Sequence, residues 1–230
     1  NYGGTWGVLA SQDASSELQI TTVLWNKKTV SVVRKEWPAQ VHRWFQVDSR
    51  QFNELGLEAV HGKVFDRYPA RYEIKTELPQ GTVKLNLVPV HLKAKNEGSV
   101  RRQMASRLIA EAIAEVAKIE QTPGEWVIGG DFNATLGSGD LDVLVQSGLT
   151  ALSAHDANEQ QITYVKDPYK SLIDHIFVSG NLAAEARDGF VIVALDRSID
   201  RFLDVSDHRP ILMRLTGGAE VRTDNGGDLS

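Results

Sequence analysis

The chain has 230 residues, with 25 Lys and Arg against 30 Asp and Glu, a formal net charge of −5, 42% hydrophobic and 24% charged residues. That is the composition of an ordinary globular protein large enough to fold without cross-links. It excludes a globally basic protein that coats nucleic acid, though not a local basic groove. No cysteine is present, which excludes a disulfide framework, a thiolate zinc site and a cysteine nucleophile, and leaves the compartment open.

No apolar run reaches the roughly 18 residues of a membrane span. The chain opens at Asn1 without a basic-then-apolar leader, as a processed or trimmed form does. Residues 18–25 are β-branched and partly alternating, and Asn26-Lys27-Lys28 turns into a second strand over 29–33. Trp37, Trp44 and Phe45 are the aromatic candidates for contact with a membrane. Residues 83–91 alternate through Val83, Leu85 and Leu87 and predict a strand.

The clearest helix is predicted over 100–118. Met104, Leu108, Ile109, Ala112, Ile113 and Val116 form one stripe, with Gln103, Ser106, Glu111, Glu115 and Lys118 facing outward. Ser99 is the expected N-cap, and Thr122-Pro123-Gly124 ends the segment. Short apolar strands are predicted at 126–128, 173–178, 190–195 and 211–215. The polar, glycine-rich residues 216–230 read as a flexible tail behind a single domain over 1–215. Several strands with one strong helix predict mixed sheets with helices packed outside.

Four segments share a pattern in which ionisable residues lie at or directly after an apolar strand. They are Val90-His91-Leu92-Lys93, Gly129-Gly130-Asp131-Phe132-Asn133-Ala134, Ile173-Asp174-His175-Ile176 and Ser206-Asp207-His208-Arg209-Pro210. Strand ends are where distant parts of a chain converge on a pocket. His, Asp and Asn gathered there hold a cation, orient a water and polarise a phosphorus–oxygen bond. Each signal also has a bland reading: His91 as a strand-ending histidine, Gly-Gly-Asp-Phe-Asn and Asp207-His208 as turns. Asp174 is harder to dismiss, because an unpaired ionised carboxylate between Ile173 and Ile176 is costly, and a histidine is its natural partner. His175 points to the opposite face by the period of two and reads as structural.

The order of His-Leu, Gly-Asp-Phe-Asn, an Asp on an apolar strand and Ser-Asp-His-Arg-Pro resembles the endonuclease/exonuclease/phosphatase superfamily, which includes deoxyribonuclease I. The resemblance covers roughly residues 17–215. It implies an α/β fold, a four-layer sandwich of two mixed β-sheets flanked by helices. It also implies a divalent-metal-dependent phosphoesterase. Asp131 would orient or deprotonate the attacking water, and Asn133 would hold the phosphate or position Asp131. His208, held by Asp174, would contact the phosphate or act as general acid/base, and His91 would be a second phosphate-stabilising imidazole. Asp207 would lie at the metal position, with Mg2+, Mn2+ or Ca2+ as the cation. Phe65-Asp66-Arg67-Tyr68-Pro69 resembles a phosphate-contacting stretch of deoxyribonuclease I, so Arg67 would bind substrate, with Tyr68 standing where that stretch has a glutamate. His91 disfavours the abasic-site endonucleases, which carry tyrosine there.

The family's N-terminal strand and Gln-Glu metal-ligand pair have no counterpart in this sequence; Asp13 and Glu17 do not sit in that context. The resemblance therefore implies an N-terminally truncated domain that holds Mg2+ weakly. The leading expectation is a phosphodiesterase, foremost a nuclease acting by in-line attack of an activated water. Lys93, Lys95, Arg101 and Arg102 are candidates for local positive charge. The alternatives are a phosphomonoesterase or phospholipase-type hydrolase of small or lipid phosphates, and a binding module that has lost the metal. Nucleic acid or another phosphate ester is the expected partner, with no obligate protein partner.

Overall fold

A strand whose two faces are both covered reads as a continuous apolar run, and Trp126-Val127-Ile128 is one. The computed structural model describes residues 5–11, 20–47, 63–79, 81–152, 154–186, 190–197 and 202–215. In it this run opens strand β6 (Trp126–Asp131), which lies inside a six-stranded sheet with β3 (Val30–Lys35), β4 (Arg71–Leu78), β5 (Gly81–His91), β7 (Thr150–Ala151) and β8 (Asp174–Val178). The strand order is β3-β4-β5-β6-β8-β7. Among the described strands only β5 and β6 pair parallel, because helix α2 (Ser99–Glu120) carries the chain back between them.

The alternation of β6 and β8 divides the core in two. Trp126, Ile128 and Phe177 join one cluster with Ile109, Ala112 and Val116 of α2 and with Val41 and Phe45 of α1 (Ala39–Phe45). Val127, Ile176 and Val178 join the other with Leu182 of α4 (Gly180–Glu185) and Ile192. A small antiparallel sheet of β9 (Phe190–Ile192) and β10 (Ile211–Met213) belongs to this second side. Strands β1 (Trp6–Ala10) and β2 (Thr22–Asn26) pair antiparallel, and the turn at 27–29 passes the chain from that sheet to β3. Helix α3 (Asp142–Gln146) precedes β7.

Several expectations are corrected. Trp37 and Phe45 are 5% and 2% exposed, and Trp37 stacks on Trp126, so neither offers a membrane contact. Their rings fill the space between α1 and the sheet. Ser99 does not cap α2. It is the first helical residue, and its hydroxyl donates to Asp140 at 2.6 Å, with Gly98 in the cap position. Ser106, expected to face outward, is fully buried and donates to the Asp140 carbonyl at 2.9 Å. The strand predicted over 190–195 stops at Ile192 and turns at Leu195–Arg197, and that over 211–215 stops at Met213. The first part of the 18–25 strand and the 216–230 tail lie outside the described residues. Among the described residues no helix is long and apolar enough to cross a membrane.

Candidate active site

The register of three neighbouring strands brings the chemistry together. His91 lies opposite Asp131 across the parallel β5–β6 pair, and Asp131 lies opposite Asp174 across the antiparallel β6–β8 pair. Residues in register on adjacent strands project to one face, so three polar side chains end three strands in a row. Gly130 makes the approach possible: its φ is +141°, and a Cβ there would sit 2.1 Å from the Val90 carbonyl oxygen.

The fourth member arrives on a loop. Tyr164 bridges both Ser171 and His208, and the Val165 N–H donates to the Asp207 carbonyl at 3.0 Å, so segment 163–171 holds segment 206–209 against the start of β8. The Tyr164 and His208 rings are 5.1 Å apart. Fully buried Thr163 accepts the N–H groups of Ile173 and Asp174 on its hydroxyl, both at 3.2 Å, and its carbonyl accepts the Arg209 N–H at 2.7 Å. Arg209 is buried and gripped by Asp196 at 2.6 and 2.8 Å.

His208 Nδ1 donates to Asp174 Oδ2 at 2.8 Å, turning Nε2 toward Asp131 Oδ2, 4.0 Å away. His91 Nε2 is 3.4 Å from the same Oδ2. The Asn133 N–H donates to Asp131 Oδ1 at 2.8 Å, and its amide donates to Asp131 Oδ2 and to the Leu92 carbonyl, both at 3.0 Å. Asn133 holds a left-handed φ of 50° to do so, a conformation asparagine tolerates. His91, Asp131, Asn133, Asp174 and His208 therefore lie within one constellation.

Its electrostatics differ from member to member. Burial, then the nearby Asp174 charge, pushes Asp131 up to about 6. Burial, then Arg67 and His208, pushes His91 down to about 4, so it is neutral at pH 7. The Asp174 hydrogen bond raises His208 above the ordinary histidine value. At near-neutral pH the site offers a carboxylate able to exchange a proton, a neutral imidazole and an imidazole biased toward its cation. His175 is elsewhere: it is buried under Phe132 and Phe177, with Nε2 donating to the Ala134 carbonyl at 2.8 Å.

Arg67 is close enough for its charge to act on both His91 and Asp131. The expected positive patch does not form at Arg101 and Arg102. Both are 6% exposed, Arg101 paired with Asp66 at 2.6 Å and Arg102 with Asp140 at 2.7 Å. Lys93 lies 3.6 Å from the same Asp66. Buried arginine needs a carboxylate partner, and those partners are remote in sequence. Asp207 is exposed, and its charge acts on His208. Among the described residues no group of three or more His, Asp or Glu side chains forms a metal-binding cluster. They do not by themselves fit the divalent cation that the resemblance implies, and Asp13 and Glu17 lie outside them.

Sequence reading missed Thr163, Tyr164 and Asp140, and took the buried Arg102 for local positive charge. Thr163 and Tyr164 sit in a polar loop with no pattern to mark them, and Asp140 looks like any turn aspartate.

Sequence and fold now agree on the class. The chain belongs to the endonuclease/exonuclease/phosphatase family, whose model matches residues 31–208. Membership makes it a hydrolase of phosphate esters, and the fold is the family's α/β sandwich. Among solved structures it is similar to the mannosyl-6-phosphatase of Bacteroides thetaiotaomicron VPI-5482, at 18% identity over 91% of this chain and 76% of that one, TM-score 0.57. It is also similar to a humanized D. rerio TDP2, at 15% identity over 90% and 75%, TM-score 0.56. A functionally unknown conserved protein from Enterococcus faecalis V583 matches at 18% identity over 93% and 77%, TM-score 0.55. No curated protein sequence matches significantly. At these identities the structural likenesses establish the fold alone.

Proposed function

We propose that the chain hydrolyses phosphodiesters, nucleic acid foremost, by in-line attack of a water activated at Asp131. One observation carries the reading: a single carboxylate oxygen, Asp131 Oδ2, faces both imidazoles, at 3.4 and 4.0 Å, on a group whose proton affinity burial has brought close to neutrality. A base with a pKa near working pH both holds its ionised form and takes a proton effectively. His208, oriented by Asp174, is the acid that stabilises charge on the phosphoryl oxygens or protonates the leaving oxygen. His91, neutral, contributes a polar contact to the same phosphate without repelling His208. The Asn133 amide already donates to Asp131 and to Leu92, which supports a role in fixing Asp131 rather than gripping phosphate. Arg67 supplies a positive charge beside His91 and Asp131 for the substrate phosphate.

Asp207 is the one carboxylate we propose as a donor to a divalent cation such as Mg2+, and no step is routed through that ion. With so few donors among the described residues the expected affinity is low. A calorimetric titration of this chain with Mg2+ should give weak, unsaturating heats, and tight stoichiometric binding contradicts the expected low affinity.

A second reading has its own support. A cavity of about 560 Å³ opens beside Asp174 and His208, lined by Leu87, Val127, Ile176, Pro210, Ile211 and Met213. Apolar walls of this size suit the non-reacting part of a small or lipid phosphate ester. A binding module that has lost catalysis is opposed by the five assembled polar residues. Rates on plasmid DNA, bis-p-nitrophenyl phosphate and a phosphomonoester, each with and without Mg2+, separate the three. Asp131→Asn should abolish turnover with the fold intact, and parent-like hydrolysis by that variant removes Asp131 from the mechanism.

A further inference from the structure

The loops after β5 and β6 leave directly from the site's central residues His91 and Asp131, and apart from one 3-10 turn at Leu136–Ser138 neither is regular structure. Residues 92–95 follow His91 directly, and residues 132–140 follow Asp131 and include Asn133. Each contains a non-glycine residue in the left-handed region, Lys95 at φ 70° and Asn133 at φ 50°. Such conformations persist only where surrounding contacts impose them.

We propose that Arg102 is a positioning residue of the active site, its guanidinium bracing the backbone that follows His91 against the loop that follows Asn133. This rests on the reading of His91, Asp131 and Asn133 as the reacting group. Nη1 donates to the carbonyls of Lys93 and Lys95 at 2.8 and 2.7 Å. Nε and Nη2 meet Asp140 Oδ2, each at 2.7 Å. Asp140 is fixed in turn by the Ser99 hydroxyl at 2.6 Å and the Gln103 amide at 3.1 Å. The brace stands on the first turn of α2, so a rigid helix sets the spacing of the two loops. None of these contacts touches His91 or Asp131: Arg102 acts through backbone.

The fork is what the geometry requires. An ammonium cannot reach two carbonyls on one side and a carboxylate on the other from fixed planar directions. Gly98 supplies the room, since a Cβ there would lie 2.8 Å from Arg102 Nη1 and 2.9 Å from the Lys93 carbonyl oxygen. A buried ion pair is by itself a poor source of stability. The four-way geometry is the reason to assign it to the site.

The test measures kcat, KM and the pH–rate profile on bis-p-nitrophenyl phosphate, at a temperature where far-UV circular dichroism shows native protein. Arg102→Gln should lower kcat about 10- to 100-fold, the scale of an ångström-sized misplacement, with KM nearly unchanged. The acid limb near pH 6 should move, because the surroundings of Asp131 relax. Arg102→Lys should recover part of the rate. Gly98→Ala keeps the charge, displaces the fork and should shift kcat and the acid limb the same way. Arg107→Ala, which removes an exposed pair with Glu111 on the same helix, should match the parent. A folded Arg102→Gln protein with the parent's kcat and acid limb overturns the proposal. If that variant does not fold, a parent-like Gly98→Ala protein overturns it. An inactive Asp131→Asn beside a parent-like Arg102→Gln strikes the brace alone, whereas an active Asp131→Asn strikes the site reading itself.

Discussion

Asp131 and Asp140 stand at the two ends of one loop, both largely withdrawn from water, and their carboxyls behave in opposite ways. Burial acts upward on each. At Asp131 the next influence is another negative charge, Asp174, and the proton is held up to about 6. At Asp140, the more buried of the two, donors from Ser99, Gln103 and Arg102 outweigh burial and keep the carboxyl below its ordinary value. Depth alone does not decide ionisation; the donors supplied at that depth do. One end of the loop holds its proton because a second carboxylate faces it, and the other is ionised because Ser99, Gln103 and Arg102 all donate to it.

If that contrast holds, substitutions at the Asp131 end of the site should cost rate without a large loss of stability. His208→Ala should lower kcat on the order of 10²–10⁴-fold, typical of losing a general acid/base. It should lower the urea midpoint less than Asp140→Ala does, because the His208–Asp174 pair is less buried than the Arg102–Asp140 pair. A large loss of stability in that variant breaks the division between the two ends. At the saturated end, Asp140→Ala leaves Arg102 buried without its carboxylate and should cost about 3–5 kcal/mol in urea denaturation.

A smaller effect tests the sign. The folded protein holds the Asp131 proton more tightly than the unfolded chain, so this group's stabilising contribution is full below the ordinary value of 3.8 and is lost as pH rises through about 6. Asp131→Asn removes that loss. It should raise stability at pH 8 relative to the parent by up to about 3 kcal/mol, with little difference near pH 4. An equal change at both pH values places the cause in packing rather than in charge.

His91 and Asp174 were legible in the sequence because a polar residue at the end of an apolar strand stands out against its neighbours. Gly-Asp-Phe-Asn and Ser-Asp-His-Arg-Pro were legible because together they resemble the family's motifs; each alone also reads as a turn. Arg101 and Arg102 were misread as surface charge, and Ser106 as an outward residue, because their partners Asp66 and Asp140 are brought to α2 by loops remote in sequence. Local periodicity places a residue on a face of its own helix, and it carries no information about what covers that face.

The sequence by itself determined the inventory: which polar groups end which strands, and that no thiol takes part. Only the tertiary structure decided how they are arranged and how firmly each holds a proton. Strand register set His91, Asp131 and Asp174 side by side, a loop laid His208 against Asp174, and burial moved their proton affinities apart. The physical reason is range: propensity and pattern act over a few neighbouring residues, whereas charge, desolvation and register act between segments that meet only when the chain has folded.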